Sequence, residues 1–244
     1  MVRSAIAFVV GVVLLPVTVT AQQSPGTAGL IEPASYRSGR MPELPVMAVG
    51  GGEVVVELTI SDRGAVTAVR PLRGTASYTD FVVDAVRTWQ FVPATELLTP
   101  ATGKPGESVK RPIESRMTVA ALFRPPSLYA GATLGEPVRD LQNPSDAVAF
   151  PTSTVLPTFH PSARASGIVM TEARVDRSGT VTDVSVKQSS PPFDDAALKA
   201  AREWRFRPAR VGGAPIASRV YQIFSFQIPV VLSAPSAPSV PQRQ

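Results

Sequence analysis

The chain has 244 residues, 44% hydrophobic and 18% charged, with 25 prolines, no cysteine and one histidine. That length holds one large domain or two small ones, and the proline content implies long connecting stretches. The absence of cysteine excludes disulfides and thiol chemistry. The net charge of +5 comes from scattered residues, with no Arg/Lys stripe interleaved with aromatics of the kind that reads nucleic acid.

The first element is an apolar run. Arg3 precedes residues 5–17, and "VTA" at 19–21 offers the compact residues that a signal peptidase reads. The run is broken by Gly11 and Pro16 and falls short of the ~20 apolar residues of a comfortable span. The expectation is a signal peptide over 1–21 and export to the periplasm; an uncleaved inner-membrane anchor is the alternative. A linker follows at 22–44.

From residue 45 the sequence is best read against itself. Slid by 115 positions (167 − 52), residues 52–94 align without a gap on 167–209, pairing Gly64 with Gly179, Arg87 with Arg202, Trp89 with Trp204 and Pro93 with Pro208. A second block, "PIESRMTVAALF" at 112–123, aligns on "PIASRVYQIFSF" at 215–226 with an offset of 103 (216 − 113). Two collinear blocks with one insertion, in the breaker-rich stretch 96–110, indicate duplication.

Each copy predicts the same elements. Val54, Val56, Leu58 and Ile60 alternate along one strand face, as do Val169, Thr171, Ala173 and Val175. Glu57 and Glu172 fall on the opposite face, which is expected to be wet. Gly64 and Gly179 suit the positive-φ position of a hairpin loop into second strands at 66–72 and 181–187. A helix follows, with Val82, Ala85, Val86 and Trp89 on one stripe, and Ala197, Ala200, Ala201 and Trp204 on its counterpart. Asp80, Asp194 and Asp195 suit the helix N-termini and Arg87, Arg202 and Arg205 the C-termini, while Pro93 and Pro208 forbid continuation. In the last strand, Val220, Phe224, Phe226 and Ile228 are expected to face the core. Arg219, Tyr221, Ile223, Ser225 and Gln227 are expected to face out. The fold class is α+β: two tandem β-β-α-β modules, each one helix on a short antiparallel sheet.

The order G-x-V, D-x-S-G-x-V-x-D-V, "DDAALKAAREWRFRPA" (194–209) and an aromatic-rich final strand resembles the C-terminal domain of TonB-type energy transducers. The resemblance is closer at 156–230, where His160–Pro161 and Ala163 stand at the family's lead-in motif. It is divergent at 45–124, which lacks that motif. Residues 125–155 read as a linker with Leu128, Tyr129 and Phe150 as docking points, and 231–244 as a disordered Pro/Ser/Ala-rich tail.

The resemblance implies a periplasmic binding module that adds a short peptide of an outer-membrane transporter, or another envelope protein, as a strand at a sheet edge. It implies the last strand as the receiving edge, through Arg219, Tyr221, Ile223 and Ser225, flanked by His160 and Pro161. The structural alternative is that the tail or the other copy covers that edge. Full transducers carry a histidine in their membrane helix and a long Pro-rich spacer. The apolar run here has no histidine, and only residues 22–44 precede the first copy, so the resemblance implies binding more than force transmission. The second functional reading is a structural or tethering protein whose paired modules bind each other, another subunit or cell-wall material.

Catalysis is not indicated. One histidine beside prolines and no G-x-S-x-G leave no triad, no spacing suggests a metal site, and "GGG" at 50–52 opens no phosphate-binding helix. No enzyme activity, cofactor or nucleic-acid partner is expected.

Overall fold

The computed structural model describes residues 31–43, 50–98, 108–126, 134–135, 137–159 and 163–228. The expected signal peptide, Leu128, Tyr129, His160, Pro161 and the tail lie outside the described residues. No helix among the described residues is long and apolar enough to cross a membrane.

In chain order the first half runs β1 (Ile31–Glu32), β2 (Ser35–Ser38), β3 (Gly52–Ile60), β4 (Val66–Gly74), α1 (Ala76–Val86), β5 (Gln90–Val92), β6 (Ala94–Leu98), β7 (Val109–Ile113) and β8 (Ser115–Arg124). The second continues with β9 (Arg139–Asp140), β10 (Phe150–Ser153), β11 (Gly167–Val175), β12 (Val181–Gln188), α2 (Asp194–Glu203), β13 (Arg205–Arg207), β14 (Ala209–Val211), β15 (Ala214–Ile216) and β16 (Ser218–Phe226). The class is α+β, with two helices among the described residues set against a mostly antiparallel sheet.

The main sheet has seven strands in the order β12-β11-β16-β8-β3-β4-β9. The hairpins β3–β4 and β11–β12 turn at Gly64 and Gly179, with φ of 83° and 86°. The Phe91 N–H donates to the Gly64 carbonyl at 2.8 Å, and the Phe206 N–H to the Gly179 carbonyl at 2.9 Å. A Cβ at either glycine would run into the carbonyl oxygen of Phe91 or Phe206. Positive φ and this close approach together demand glycine.

The centre of the sheet is a parallel seam. β16 pairs with β8 from Val220↔Thr118 to Phe226↔Arg124, whereas each pairs antiparallel with its other neighbour, β11 or β3. Because β8 and β16 run parallel while each is antiparallel to its own inner neighbour, the two sides of the seam are related by a rotation about the strand direction, which turns one side over. The helices therefore cover opposite faces. Val54, Val56, Leu58, Ile60, Val119, Ala121 and Phe123 pack with α1; Val169, Ala173, Val175, Val220, Phe224 and Phe226 pack with α2.

These are the faces that the alternation predicts. The other faces differ from expectation. Tyr221 and Ile223, expected to point outward, enter the core of α1, while Val55, Ala120 and Leu122 enter that of α2. Glu57, expected on a wet face, is 3% exposed. The physical reason is the flip across the seam: each half lends its helix or lead-in segment to the sheet face that its partner half leaves bare.

The helices end sooner than the sequence suggests. α1 stops at Val86 and α2 at Glu203, before the tryptophans and well before Pro93 and Pro208. Trp204 is the C-cap of α2 in an extended conformation. Both tryptophans are nevertheless fully buried. Each indole N–H is anchored by a lead-in carbonyl, Trp89 to Arg40 at 2.8 Å and Trp204 to Val155 at 3.1 Å. Leaving the helix lets the ring turn beneath the sheet and reach that carbonyl.

The N-termini also differ. Asp194 and Asp195 occupy the first turn of α2, where Asp194 accepts the Ser190 N–H at 2.8 Å. Asp80 lies mid-helix, because α1 begins at Ala76 after Thr75. The buried Thr75 hydroxyl is engaged with the backbone of Glu53, accepting its N–H at 3.0 Å.

Stretches read as linkers carry structure. β2 pairs with β5 and β10 with β13 at corresponding positions of the 115-residue offset. Phe150, read as a docking point, pairs with Arg207 and lies 4.7 Å from the Arg73 guanidinium carbon.

Candidate partner-binding edges

Strand addition needs an unpaired strand edge, so the candidate site is a matter of which edges the sheet leaves open. β16, which carries the expected binding residues, is hydrogen-bonded on both sides and lies in the middle of the sheet. The receiving edge expected on residues 219–226 is occupied by β8, the alternative in which the other copy covers it.

The four described candidates on β16 are held internally. Arg219 donates to the Ala34 carbonyl at 2.9 Å, and its Nε lies 3.4 Å from Glu172. The Tyr221 hydroxyl donates to Glu172 at 2.6 Å and accepts the Tyr36 N–H at 2.7 Å. Its ring sits among Tyr36, Trp89 and Phe91 with centroids 6.1–6.2 Å away. Burial, reinforced by the hydrogen bond to Glu172, pushes the Tyr221 phenol far above its ordinary range. Ile223 is fully buried opposite Met170 and Ala121. Ser225 is buried with its hydroxyl making no hydrogen bond among the described residues. The structure thus brings Arg219 and Tyr221 together on Glu172, while Ile223, in the same core as Tyr221, and Ser225 are buried farther along the strand.

The matching carboxylate of the first half, Glu57, is more heavily engaged. It takes Arg70 at 2.5 Å, Arg116 at 3.3 Å, the Ser145 N–H at 3.2 Å and the Ser145 hydroxyl at 2.9 Å. Burial alone would raise its pKa, but the donors from Arg70 and Ser145 outweigh it and hold the carboxyl below the usual range. The signal for these residues was in the repeat. "ESR" at 114–116 and "ASR" at 217–219 each supply an arginine to the carboxylate of their own half. Ser145 had no such signal, since it comes from a stretch with no counterpart motif.

The outer strands differ. β4 is covered at its end by β9, through Arg73↔Asp140 and Gly74↔Arg139, and the Leu141 and Gln142 N–H groups both donate to the Leu72 carbonyl at 2.8 and 3.2 Å. Asp140 also pairs with the Arg73 guanidinium at 2.8 Å. β12 has β11 on one side and, among the described residues, no strand on the other. Thr182, Asp183, Ser185, Lys187 and Gln188 are exposed along it.

The described residues form a helix-on-sheet unit in whose main sheet the outer strand β12 has a single strand neighbour among them. Residues 157–228 match the family model of the Gram-negative bacterial TonB protein C-terminal, so the second half of the chain carries a domain of that family. Two curated relatives, each named "Protein TonB", come from Xanthomonas campestris pv. campestris, strain B100 and strain ATCC 33913. Each is 41% identical over 69 residues, which cover 26% of this chain and 31% of the relative. The chain thus matches under a third of the length of these relatives.

Proposed function

We propose that this chain is a periplasmic TonB-family binding protein that supports transport by engaging an extended peptide of an outer-membrane transporter through strand addition. The observation that carries the proposal is the family match over 157–228, combined with strand edges as the unit's accessible chemistry. In this reading the chain holds two divergent copies of one β-β-α-β module, over 45–124 and 156–230, and the second, with His160 and Pro161 at its lead-in, receives the peptide. For β16 to present Arg219, Tyr221, Ile223 and Ser225 to a peptide, β8 must first leave the seam.

A second reading is favoured by that seam. The two last strands satisfy one another, as they would in a non-transducing structural or tethering protein whose paired modules meet another subunit or cell-wall material at other surfaces. The test is to titrate a transporter-derived peptide against the full chain and follow amide exchange in β8 and β16. Saturable binding with faster exchange in β8 supports the first reading. A folded chain that binds no peptide at any concentration leaves the tethering reading in its place.

A further inference from the structure

The insertion in the first half builds a wall that the second half lacks. The β6–β7 ladder runs from Ala94↔Ile113 to Leu98↔Val109, whereas its counterpart, β14–β15, stops at Val211↔Ala214. The additional pairs, Leu97↔Lys110 and Leu98↔Val109, lengthen the hairpin into an arm. Together with β1, which pairs along the other side of β6, this arm forms one wall of a cleft of ≈ 600 Å³. Arg174 on β11 and residues 217–219 at the start of β16 form the other. We propose that this cleft binds a small amphipathic monocarboxylate, a single carboxylate on an apolar body of the fatty-acid kind, with Arg174 taking the carboxylate.

The charge requirement comes from the second-half wall. Arg174 stands directly opposite Arg219 in the β11–β16 ladder, so the two side chains share a face, and like charges in that relation repel. Arg219 is answered from within the protein: its Nε lies 3.4 Å from Glu172, and it donates to the Ala34 carbonyl at 2.9 Å. Arg174 is exposed, and its guanidinium makes no hydrogen bond or ion pair among the described residues, not even with Asp183, its partner in the β11–β12 ladder. On the facing wall the Lys110 ammonium is taken by Glu32 at 2.8 Å. The lining therefore carries one cation without a counter-charge. That is the complement of a single carboxylate, which a guanidinium can hold through two parallel N–H donors.

The apolar body is called for by the rest of the lining. Ile31, Pro33, Leu97 and Ala217 surround the cleft with hydrocarbon. Ile31 is 54% exposed and Leu97 only half-buried, so apolar surface remains that a ligand would take out of water. The cleft has the size of small-molecule sites, which join a mainly apolar lining to a few polar groups that fix orientation. The duplication does not repeat the site: at the 115-residue offset the residue matching Arg174 is Thr59, which carries no charge.

Calorimetric titration of the full chain with octanoate, below its micelle-forming concentration and with no peptide present, tests the proposal independently of strand addition. Saturable binding at one site is expected. Octanamide keeps the apolar body without the charge, and inorganic phosphate keeps a charge without the body; each should bind at least about tenfold more weakly. Arg174→Gln, at an exposed position, should weaken octanoate binding by about tenfold or more, the loss expected for a charge-assisted hydrogen bond. Leu97→Asp should weaken it from the facing wall, and Arg177→Gln, exposed in the β11–β12 turn, should leave it unchanged. Thermal melts show which variants are folded, and the octanamide comparison on the wild-type chain decides even if a variant is not. No saturable octanoate binding, octanamide or phosphate binding as tightly as octanoate, or a folded Arg174→Gln chain that binds like wild type would each overturn the proposal.

Discussion

The Tyr221 hydroxyl donates to the Glu172 carboxylate at 2.6 Å and accepts the backbone N–H of Tyr36 at 2.7 Å. One phenol therefore ties β16 to its neighbour β11 and to the segment that carries β2 in the other half. Removing it leaves the Tyr36 N–H without its acceptor and Glu172 without its shortest donor. Tyr221→Phe is expected to cost about 1–3 kcal/mol, the penalty for stranding buried polar groups. A lower urea midpoint with an unchanged denaturant slope is the readout; an unshifted midpoint would show that water replaces the phenol without loss.

Acid is expected to loosen the first half through Glu57. Its folded pKa lies below the unfolded value, so its ion pairs contribute fully above the ordinary carboxylate range. That contribution is lost as pH falls through the depressed value, because the proton then binds the unfolded chain more readily. Thermal melts across the acidic range should show wild type losing stability more steeply than Glu57→Gln, which is less stable near neutrality and flatter below it. Parallel curves for the two proteins would remove Glu57 from the account.

Ile223→Pro tests whether β16 is central. A proline in a strand paired on both sides must remove a ladder donor, and it also replaces a fully buried side chain. A loss of at least ~2 kcal/mol is expected from the core substitution and the lost hydrogen bond together. Circular dichroism melts of the full chain measure it. A variant that melts like wild type would mean that residue 223 lies at an open edge.

Trp204→Ala should be among the most damaging single changes in the second half. The indole is fully buried, stands edge-on to Phe224 at 5.6 Å between ring centroids, and donates to Val155. Truncation of a large core aromatic costs about 3–5 kcal/mol. Chemical denaturation of Trp204→Ala beside Trp89→Ala should give losses of similar size, since Trp89 is equally buried and anchored to Arg40.

Gly179→Ala should destabilise although it adds only a methyl group. The residue has φ of 86°, and its Cβ would meet the Phe206 carbonyl, to whose residue the turn is tied. A non-glycine residue held in that region costs about 1–3 kcal/mol. The fall in melting temperature should exceed that of Gly212→Ala, where φ is also positive but the space is open.

Much of this protein was determined by local sequence. Val54, Val56, Leu58 and Ile60 chose their face by period-two alternation, Gly64 and Gly179 marked the hairpins, and Asp194, Asp195 and Arg202 marked the ends of α2. These features rest on interactions within a few residues, where side-chain type and spacing carry the information. The alignment of "ESR" at 114–116 with "ASR" at 217–219 puts Arg116 and Arg219 at matching positions, but it did not say that each would reach the carboxylate of its own half. Other decisions needed the whole chain. Period-two alternation says that Glu57 and Tyr221 lie opposite the local core, and says nothing of what covers them. Only the parallel β8–β16 seam, formed between strands far apart in sequence, turns one half over relative to the other. That flip buries Tyr221 and Ile223 against α1, brings Ser145 onto Glu57, removes the edge expected at residues 219–226 and leaves β12, among the described residues, with a single strand neighbour. Strand order is a long-range choice made by hydrogen bonding between segments with no local signature of their partners, which is why it was decided by tertiary structure alone.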